Sequence, residues 1–201
     1  YYIYKKLNFS NILYGFFTKN DGFSMDNYAT LNCNRNSDDN HNSVQKNIAI
    51  AKKKLGLDKR KLKFISQIHS NQIVKINKNN FSNMVEADGS ITQDKNICLA
   101  VLTADCCPIF IFDSDINFIC CLHAGWRGCL LNIVSSALEK IMSIQYDVNK
   151  IFAIIGPCLS KANFEVSSDF KEQFVLKDPS YNKFFTQMKN HKKTLFDMRG
   201  L

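Results

Sequence analysis

The chain has 201 residues, 45% of them hydrophobic, and 26 basic against 18 acidic residues give a formal net charge of +8. That length suits one domain with a proper core better than two small ones. No run of about eighteen apolar residues is present to cross a membrane, and Tyr1-Tyr2-Ile3-Tyr4-Lys5-Lys6 lacks the charged-then-apolar order of a signal peptide, so the cytosol is the expected compartment.

The elements follow in chain order. Ile12 to Phe17 reads as a short strand, and Asn20-Asp21-Gly22 as a turn. Asn32 to Asn42 is a polar loop. Ser43 to Leu55 carries Val44, Ile48, Ala51 and Leu55 at helical spacing, with Ser43 as N-cap and Gly56 as the stop. Lys63 to Gln67 and Ile73 to Ile76 read as strands, with Asn77 to Asn80 as the turn after the second. Glu86-Ala87-Asp88-Gly89 leads into Ser90-Ile91-Thr92. The unbroken apolar run Ile97 to Leu102 predicts a buried strand. Pro108 to Phe112 and Asn117 to Leu122 flank Asp113-Ser114-Asp115 as a hairpin. Gly125 and Gly128 mark a tight strand-to-helix junction, and Leu130, Ile133, Val134, Ala137, Leu138 and Ile141 form one apolar stripe. Lys150 to Ile155 is a further buried strand, Ser167 to Leu176 a helix, Asp178 to Lys193 a loop, and Thr194 to Leu201 the start of another element. A count of about seven to nine strands and three main helices, with hairpins and helical crossovers both present, predicts an α/β (α+β) single domain: a mixed β-sheet flanked by helices.

Lys52-Lys53-Lys54 and the run Lys59 to Lys63 read as solvated surface. Nucleic-acid binding calls for a basic stripe interleaved with exposed aromatics, and that pattern is missing, so no nucleic-acid partner is expected. A positive field would also attract a phosphate-bearing substrate. The eight cysteines form no C-x-x-C pair, and most lie in apolar runs where a thiol packs as a small hydrophobe.

Chemistry concentrates between Ile65 and Gly128, where His69, Cys106 and His123 each stand at the end of a strand-like run. Two imidazoles and a thiolate suit a zinc site with an open position; they equally suit a Cys–His nucleophile pair with a spare histidine. Each of the three could instead serve packing alone. Asp105 and Glu165 are candidates for proton transfer or for supporting the ligands, with a turn role as the alternative for Asp105. Arg127, between two glycines, could clamp a phosphate or carboxylate with its planar fork or form a structural ion pair. Trp126 could be core or a base-stacking platform.

Gln67-Ile68-His69, Leu102-Thr103-Ala104-Asp105-Cys106-Cys107-Pro108, His123-Ala124-Gly125-Trp126-Arg127-Gly128 and Ile155-Gly156-Pro157-Cys158 resemble the laccase-domain family. Its members are also called multicopper polyphenol oxidoreductases, peptidoglycan editing factors or purine nucleoside phosphorylases. Phe16-Phe17-Thr18-Lys19, Asp21-Gly22-Phe23-Ser24, Thr30-Leu31-Asn32, Asp88-Gly89-Ser90 and Phe164-Glu165-Val166 extend the likeness over nearly the whole chain.

The resemblance implies a cysteine-hydrolase-like laccase-domain fold and a zinc ion held by His69, Cys106 and His123. It implies phosphorolysis of adenosine, inosine, guanosine and methylthioadenosine, together with adenosine deamination, in which water activated at the metal attacks C6 of adenine. Cys106, His123, His69 and Asp105 are then the catalytic set, and Arg127, Lys19 and Glu165 the substrate-binding set. Copper and a polyphenol oxidase activity form one alternative. A metal-free Cys–His hydrolase acting on amides of peptidoglycan precursors is another, and a non-catalytic binding module a third. Two departures concern the N-terminal segment: Lys19 stands where the family has Arg, and Asp21-Gly22 where it has Gly-Gly. The family also continues beyond the position of Leu201, so the chain reads as a single laccase domain shortened at its C-terminus.

Overall fold

The structure, a computed structural model, describes residues 12–144, 147–188 and 193–201. In chain order the elements are α1 (His41–Lys54), β1 (Lys61–Phe64), β2 (Ile73–Lys75), β3 (Gly89–Thr92), β4 (Ile97–Ala100), β5 (Cys107–Asp113), β6 (Ile119–Ala124), α2 (Trp126–Leu130), α3 (Ile133–Met142), β7 (Ile151–Ile155), β8 (Glu165–Val166), α4 (Ser168–Lys177), β9 (Phe185–Gln187) and β10 (Thr194–Phe196). The largest sheet has the order β2-β3-β6-β5-β7. Its β2–β3 pair is parallel and the remaining pairs are antiparallel. β1 and β4 form a separate parallel pair, and β8-β10-β9 an antiparallel three-stranded sheet. This is the mixed α/β architecture that the element order predicts. Among the described residues, no helix is long and apolar enough to cross a membrane.

The β5–β6 hairpin is the centre of the fold, because it is buried on both faces. Side chains alternate across a strand. Cys107, Ile109 and Ile111 of β5 and Cys120, Leu122 and Ala124 of β6 share a core with Ile133, Ala137 and Ile141 of α3. Phe110 and Phe112 point the other way, where Phe110 stacks on Phe16 at 5.1 Å and Phe112 on Phe152 at 6.0 Å. His123 pairs in register with Pro108, so it shares this second face. A further aromatic cluster ties α4 to the small sheet: Phe174, 0% exposed, packs on Phe170, Phe185 and Phe196 at centroid distances of 5.2, 5.7 and 5.0 Å.

Several expectations need correction. Ile12 to Phe17 forms no strand beyond one bridge at Phe16; its aromatic residues are held by ring contacts instead. α1 begins at His41, and its N-cap is Asn40, whose side chain accepts from the Ser43 amide at 3.1 Å. Asn and Ser cap equally well, so the cap followed the earlier start of the helix. Gly56 does end it, at φ +67, a conformation open to glycine. The apolar stripe after Gly125 is two helices rather than one: Asn132 at φ 62 breaks it and resets the helical phase, which leaves Val134 at 38% exposure. β7 is largely exposed rather than buried, and among the described strands it pairs with β5 alone. The polar run from Asp178 holds a short helical turn at Pro179–Phe184 and then β9, which pairing with β10 stabilises. The rest of that run, residues 189–192, lies outside the described residues.

Candidate metal centre

Three separate segments deliver the three donors. His69 follows β1 on a turn and has φ 58, a backbone conformation that costs a non-glycine residue energy. The compensation comes from Asp88, which immediately precedes β3 and is 0% exposed. Its carboxylate accepts the backbone N–H groups of Ile68, His69 and Ser70 at 3.2, 3.0 and 2.6 Å, and the Ser70 hydroxyl at 2.8 Å. A buried carboxylate is sustained only by such donors.

The same carboxylate takes His123 Nδ1 at 2.8 Å, while the Asp88 carbonyl accepts the His123 N–H at 2.7 Å. Nδ1 therefore carries the proton, and Nε2 is left as the lone-pair donor. Burial pushes the His123 pKa down, and this outweighs the upward pull of Asp88. For Asp88 the balance is reversed: burial raises its pKa, but the hydrogen bonds from His123, Ser70 and Ile68 hold it below the ordinary carboxylate value.

Cys106 is the last residue before β5. Asp105 precedes it at φ 73, and the Asp105 carbonyl accepts the Leu159 N–H at 2.9 Å. Burial raises the Cys106 thiol pKa, and the nearby Asp105 and Asp88 raise it further.

The ligand atoms of His69, Cys106 and His123 all lie within 4.8 Å of one another. Tetrahedral zinc with ordinary Zn–N and Zn–S lengths places such donors ~3.4–3.6 Å apart, so the cluster is of the right size. The two imidazoles meet edge to face, with centroids 4.9 Å apart. Gly125 closes one side. A Cβ there would stand 2.9 Å from His69 Cδ2 and 3.1 Å from Cys106 Sγ, so only glycine leaves the ligands their space. Its φ of −75 is ordinary, which makes the requirement purely steric. Donor set, size and the space kept by Gly125 all fit a metal ion; a divalent charge would also offset the two carboxylates that disfavour the thiolate.

The ligands line a cavity of about 840 Å³, and Lys19, Asn32, Asn34 and Gln67 also face it. The other predicted residues are placed less uniformly. Asp105 adjoins Cys106 but is exposed and outside the cavity wall. Arg127 is exposed on α2, with its guanidinium 5.1 Å from the centre of the Trp126 ring. The structure does not bring Glu165 to the cavity: it lies on β8 and forms an ion pair with Lys193. Trp126 packs against Phe170 at 5.0 Å, on the core side. Asp88, which bonds to the segments of both histidines, is the residue that sequence reasoning did not single out for the site. Its signal was the Asp88-Gly89-Ser90 segment, one of those that carry the family likeness, at the head of a short strand.

Residues 13–201 match the family described as multi-copper polyphenol oxidoreductase laccase. A Rickettsia conorii protein named purine nucleoside phosphorylase is 35% identical over 134 residues, which span 67% of this chain and 55% of that protein. A Staphylococcus saprophyticus protein of the same name is 29% identical over 179 residues, 85% of this chain and 67% of that one. The chain thus spans about half to two thirds of the length of these relatives. A Neisseria meningitidis protein of known crystal structure superposes with a TM-score of 0.79 at 26% identity, covering 90% of this chain and 72% of its own. The YlmD protein of Geobacillus stearothermophilus shares the fold, with a TM-score of 0.78 at 20% identity over 90% and 71% of the two chains. The matched span takes in His69, Cys106, His123 and the aspartate behind them, and the chain belongs to the multi-copper polyphenol oxidoreductase laccase family.

Proposed function

We propose that the chain is a zinc-dependent purine nucleoside phosphorylase acting on adenosine, inosine, guanosine and methylthioadenosine, with adenosine deamination as a second activity. The observation that carries this reading is the convergence of His69, Cys106 and His123 beside a cavity, with Gly125 keeping their common space open. The names of the relatives at 29–35% identity support the substrate class. Bound by these ligands, zinc would supply a Lewis acid that polarises the substrate and lowers the pKa of water.

In phosphorolysis a phosphate oxygen forms a bond to ribose C1′ while the bond from C1′ to the purine breaks, and the purine takes up a proton. The chain's residues divide that work. Asp88 holds His123 in one tautomer and fixes the His69 turn. Lys19, one of two lysines on the cavity wall with Lys52, is assigned to the phosphate. Arg127, exposed outside the cavity, is assigned as a second phosphate partner, and Asp105, exposed next to Cys106, as the group that exchanges a proton with bulk water. In deamination, water adds at C6 of the adenine ring and ammonia leaves.

A second reading has one observation in its favour. Asp88, His123 and Cys106 stand in the order orienter, base, nucleophile, which is the layout of a cysteine hydrolase. The raised Cys106 pKa weighs against it, because an activated nucleophile needs the opposite shift.

The test uses the purified chain and Cys106→Ala, with elemental analysis followed by assay of adenosine and inosine with and without inorganic phosphate. The expected result is near one zinc per wild-type chain, lost in the variant, with phosphate-dependent release of free base. Products that ignore both phosphate and Cys106 would refute the reading. Copper in place of zinc would favour the oxidase alternative, and covalent capture of Cys106 by an amide-like electrophile in chelator would favour the hydrolase.

A further inference from the structure

The proposed metal site is a triangle of ligands, and two of its edges have an evident mechanical origin. The edge from His69 to His123 is set by Asp88, which bonds to both residues. The edge from Cys106 to His123 is set by the β5–β6 register, in which Cys107 pairs with Ala124 and Pro108 with His123.

The third edge, His69 to Cys106, joins segments that have already left their sheet. β1 and β4 pair in parallel from Lys61↔Ile97 to Phe64↔Ala100, and the pairing then stops. Past it, Ser66 turns to the other side: its N–H donates to the Val85 carbonyl at 2.9 Å, and its carbonyl accepts the Ala87 N–H at 3.1 Å. The backbone that carries His69 and the backbone that carries Cys106 thus diverge just before the site.

Gln67 spans the gap. Its Nε2 donates to the Leu102 carbonyl at 2.8 Å, and its Oε1 accepts the Leu102 N–H at 2.8 Å. One side-chain amide therefore meets both polar groups of a single residue, as a paired strand would. Only one orientation of the amide satisfies both bonds. Gln67 stands two residues before His69, and Leu102 four before Cys106. We infer that Gln67 is a positioning residue: its amide clasp ties the two segments together again beyond the end of the β1–β4 pairing and thereby fixes the Cys106 thiol relative to the His69 imidazole. This rests on the reading of His69, Cys106 and His123 as metal ligands.

The substitution that tests it is Gln67→Met, which keeps length and flexibility but removes both hydrogen bonds. Gln67→Glu is the second variant, able to accept from the Leu102 N–H but not to donate to its carbonyl. Cobalt(II) serves as the probe in zinc's place, because a thiolate ligand to cobalt produces a charge-transfer band. Wild type should show that band and Cys106→Ala should lack it.

Gln67→Met is expected to bind cobalt about 10- to 100-fold more weakly, the usual cost of losing an outer partner of a metal ligand. Its charge-transfer band should fall relative to the d–d absorption, with Gln67→Glu between it and wild type. A residue that only supports the fold would shift the melting temperature and leave this ratio alone. An unchanged band and affinity in a folded Gln67→Met would overturn the inference.

A parallel measurement in chelator separates this outcome from a failure of the metal reading. The rate of Cys106 alkylation by iodoacetamide, mapped by mass spectrometry, should rise several-fold in Gln67→Met as the loop before β5 loosens. If wild type shows no cobalt band, the metal reading fails, and the alkylation rates alone decide whether Gln67 holds Cys106. Equal rates would then refute the clasp.

Discussion

Asp88→Asn separates the two jobs of the aspartate behind the site. The Asp88 carboxylate accepts from the Ile68, His69 and Ser70 amides, from the Ser70 hydroxyl and from His123 Nδ1. An amide of the same shape offers one oxygen. The less costly orientation keeps that oxygen at the Oδ2 position, facing Ile68 and Ser70, and turns the NH2 toward the His69 N–H and His123. The His69 N–H then loses its acceptor, at about 1.5–3 kcal/mol for a bond to a charged group. The bonds that survive go from charged to neutral acceptors, which brings the total to roughly 3–5 kcal/mol. Domains of this size have about 5–15 kcal/mol to lose, so the variant should fold, with a melting temperature lower by roughly 6–20 °C.

The NH2 group also forces His123 to accept at Nδ1 and so moves the ring proton to Nε2, the atom meant for the metal. Zinc affinity should fall by at least ~10–100-fold. Thermal unfolding in chelator measures the first effect, and zinc competition against a chromophoric chelator the second. A shift of under ~2 °C with wild-type zinc affinity would show that Asp88 neither holds the turn nor sets the tautomer.

Gly125→Ala puts a methyl group 2.9 Å from His69 Cδ2 and 3.1 Å from Cys106 Sγ in an otherwise permissive backbone, so metal content should drop sharply while circular dichroism stays native; full zinc occupancy would contradict the packing argument. Asn47→Leu removes four hydrogen bonds, to the Phe23 N–H, the Ser24 hydroxyl and the Thr30 and Asn32 carbonyls; the Thr30 carbonyl keeps the Ser24 N–H and the Ser24 hydroxyl keeps Asp39, so the loss falls mainly on the Phe23 N–H and the Asn32 carbonyl. A loss of about 2–4 kcal/mol is expected, with faster proteolysis between residues 18 and 40; unaltered cleavage there would count against this anchoring. Phe174→Ala opens a cavity among Phe170, Phe185 and Phe196 and should cost about 3–5 kcal/mol in urea unfolding; under ~1.5 kcal/mol would mean that the cluster collapses to fill the space.

The Asp39 carboxyl is held below its ordinary pKa, first by the Ser24 hydroxyl at 2.6 Å, against the opposing effect of burial, and then by Asn32 and the Asn40 N–H. A depressed folded pKa stabilises above the unfolded value of about 3.9 and is lost as pH falls through the folded one. An NMR titration should therefore show Asp39 ionised below about pH 3.9, and a midpoint at or above that value would refute the assignment.

Much of the fold was legible because its signals are local. The apolar runs Pro108 to Phe112 and Asn117 to Leu122, separated by Asp113-Ser114-Asp115, encode a hairpin through local composition and turn residues alone, and the structure has that hairpin. Gly56 as a stop and the helix from Ser167 likewise depend on neighbouring residues. The segments that carry the three ligands stood out because His and Cys at the ends of apolar runs are chemically conspicuous. Elements decided by a partner distant in sequence carry no such local signal. β9 forms because β10 pairs with it, β7 pairs with β5 alone among the described strands, and Phe16 stacks on Phe110.

The same division holds within the site. The sequence by itself determined the donor types, the small residue at Gly125 and the likeness to a family. Only the tertiary structure placed Asp88 behind both histidines, matched the Gln67 amide to Leu102, and sent Glu165 to a different sheet, paired with Lys193. Such pairings join residues that the chain separates by 19 to 35 positions, and closing a loop of that size leaves no periodic trace in the residues it joins.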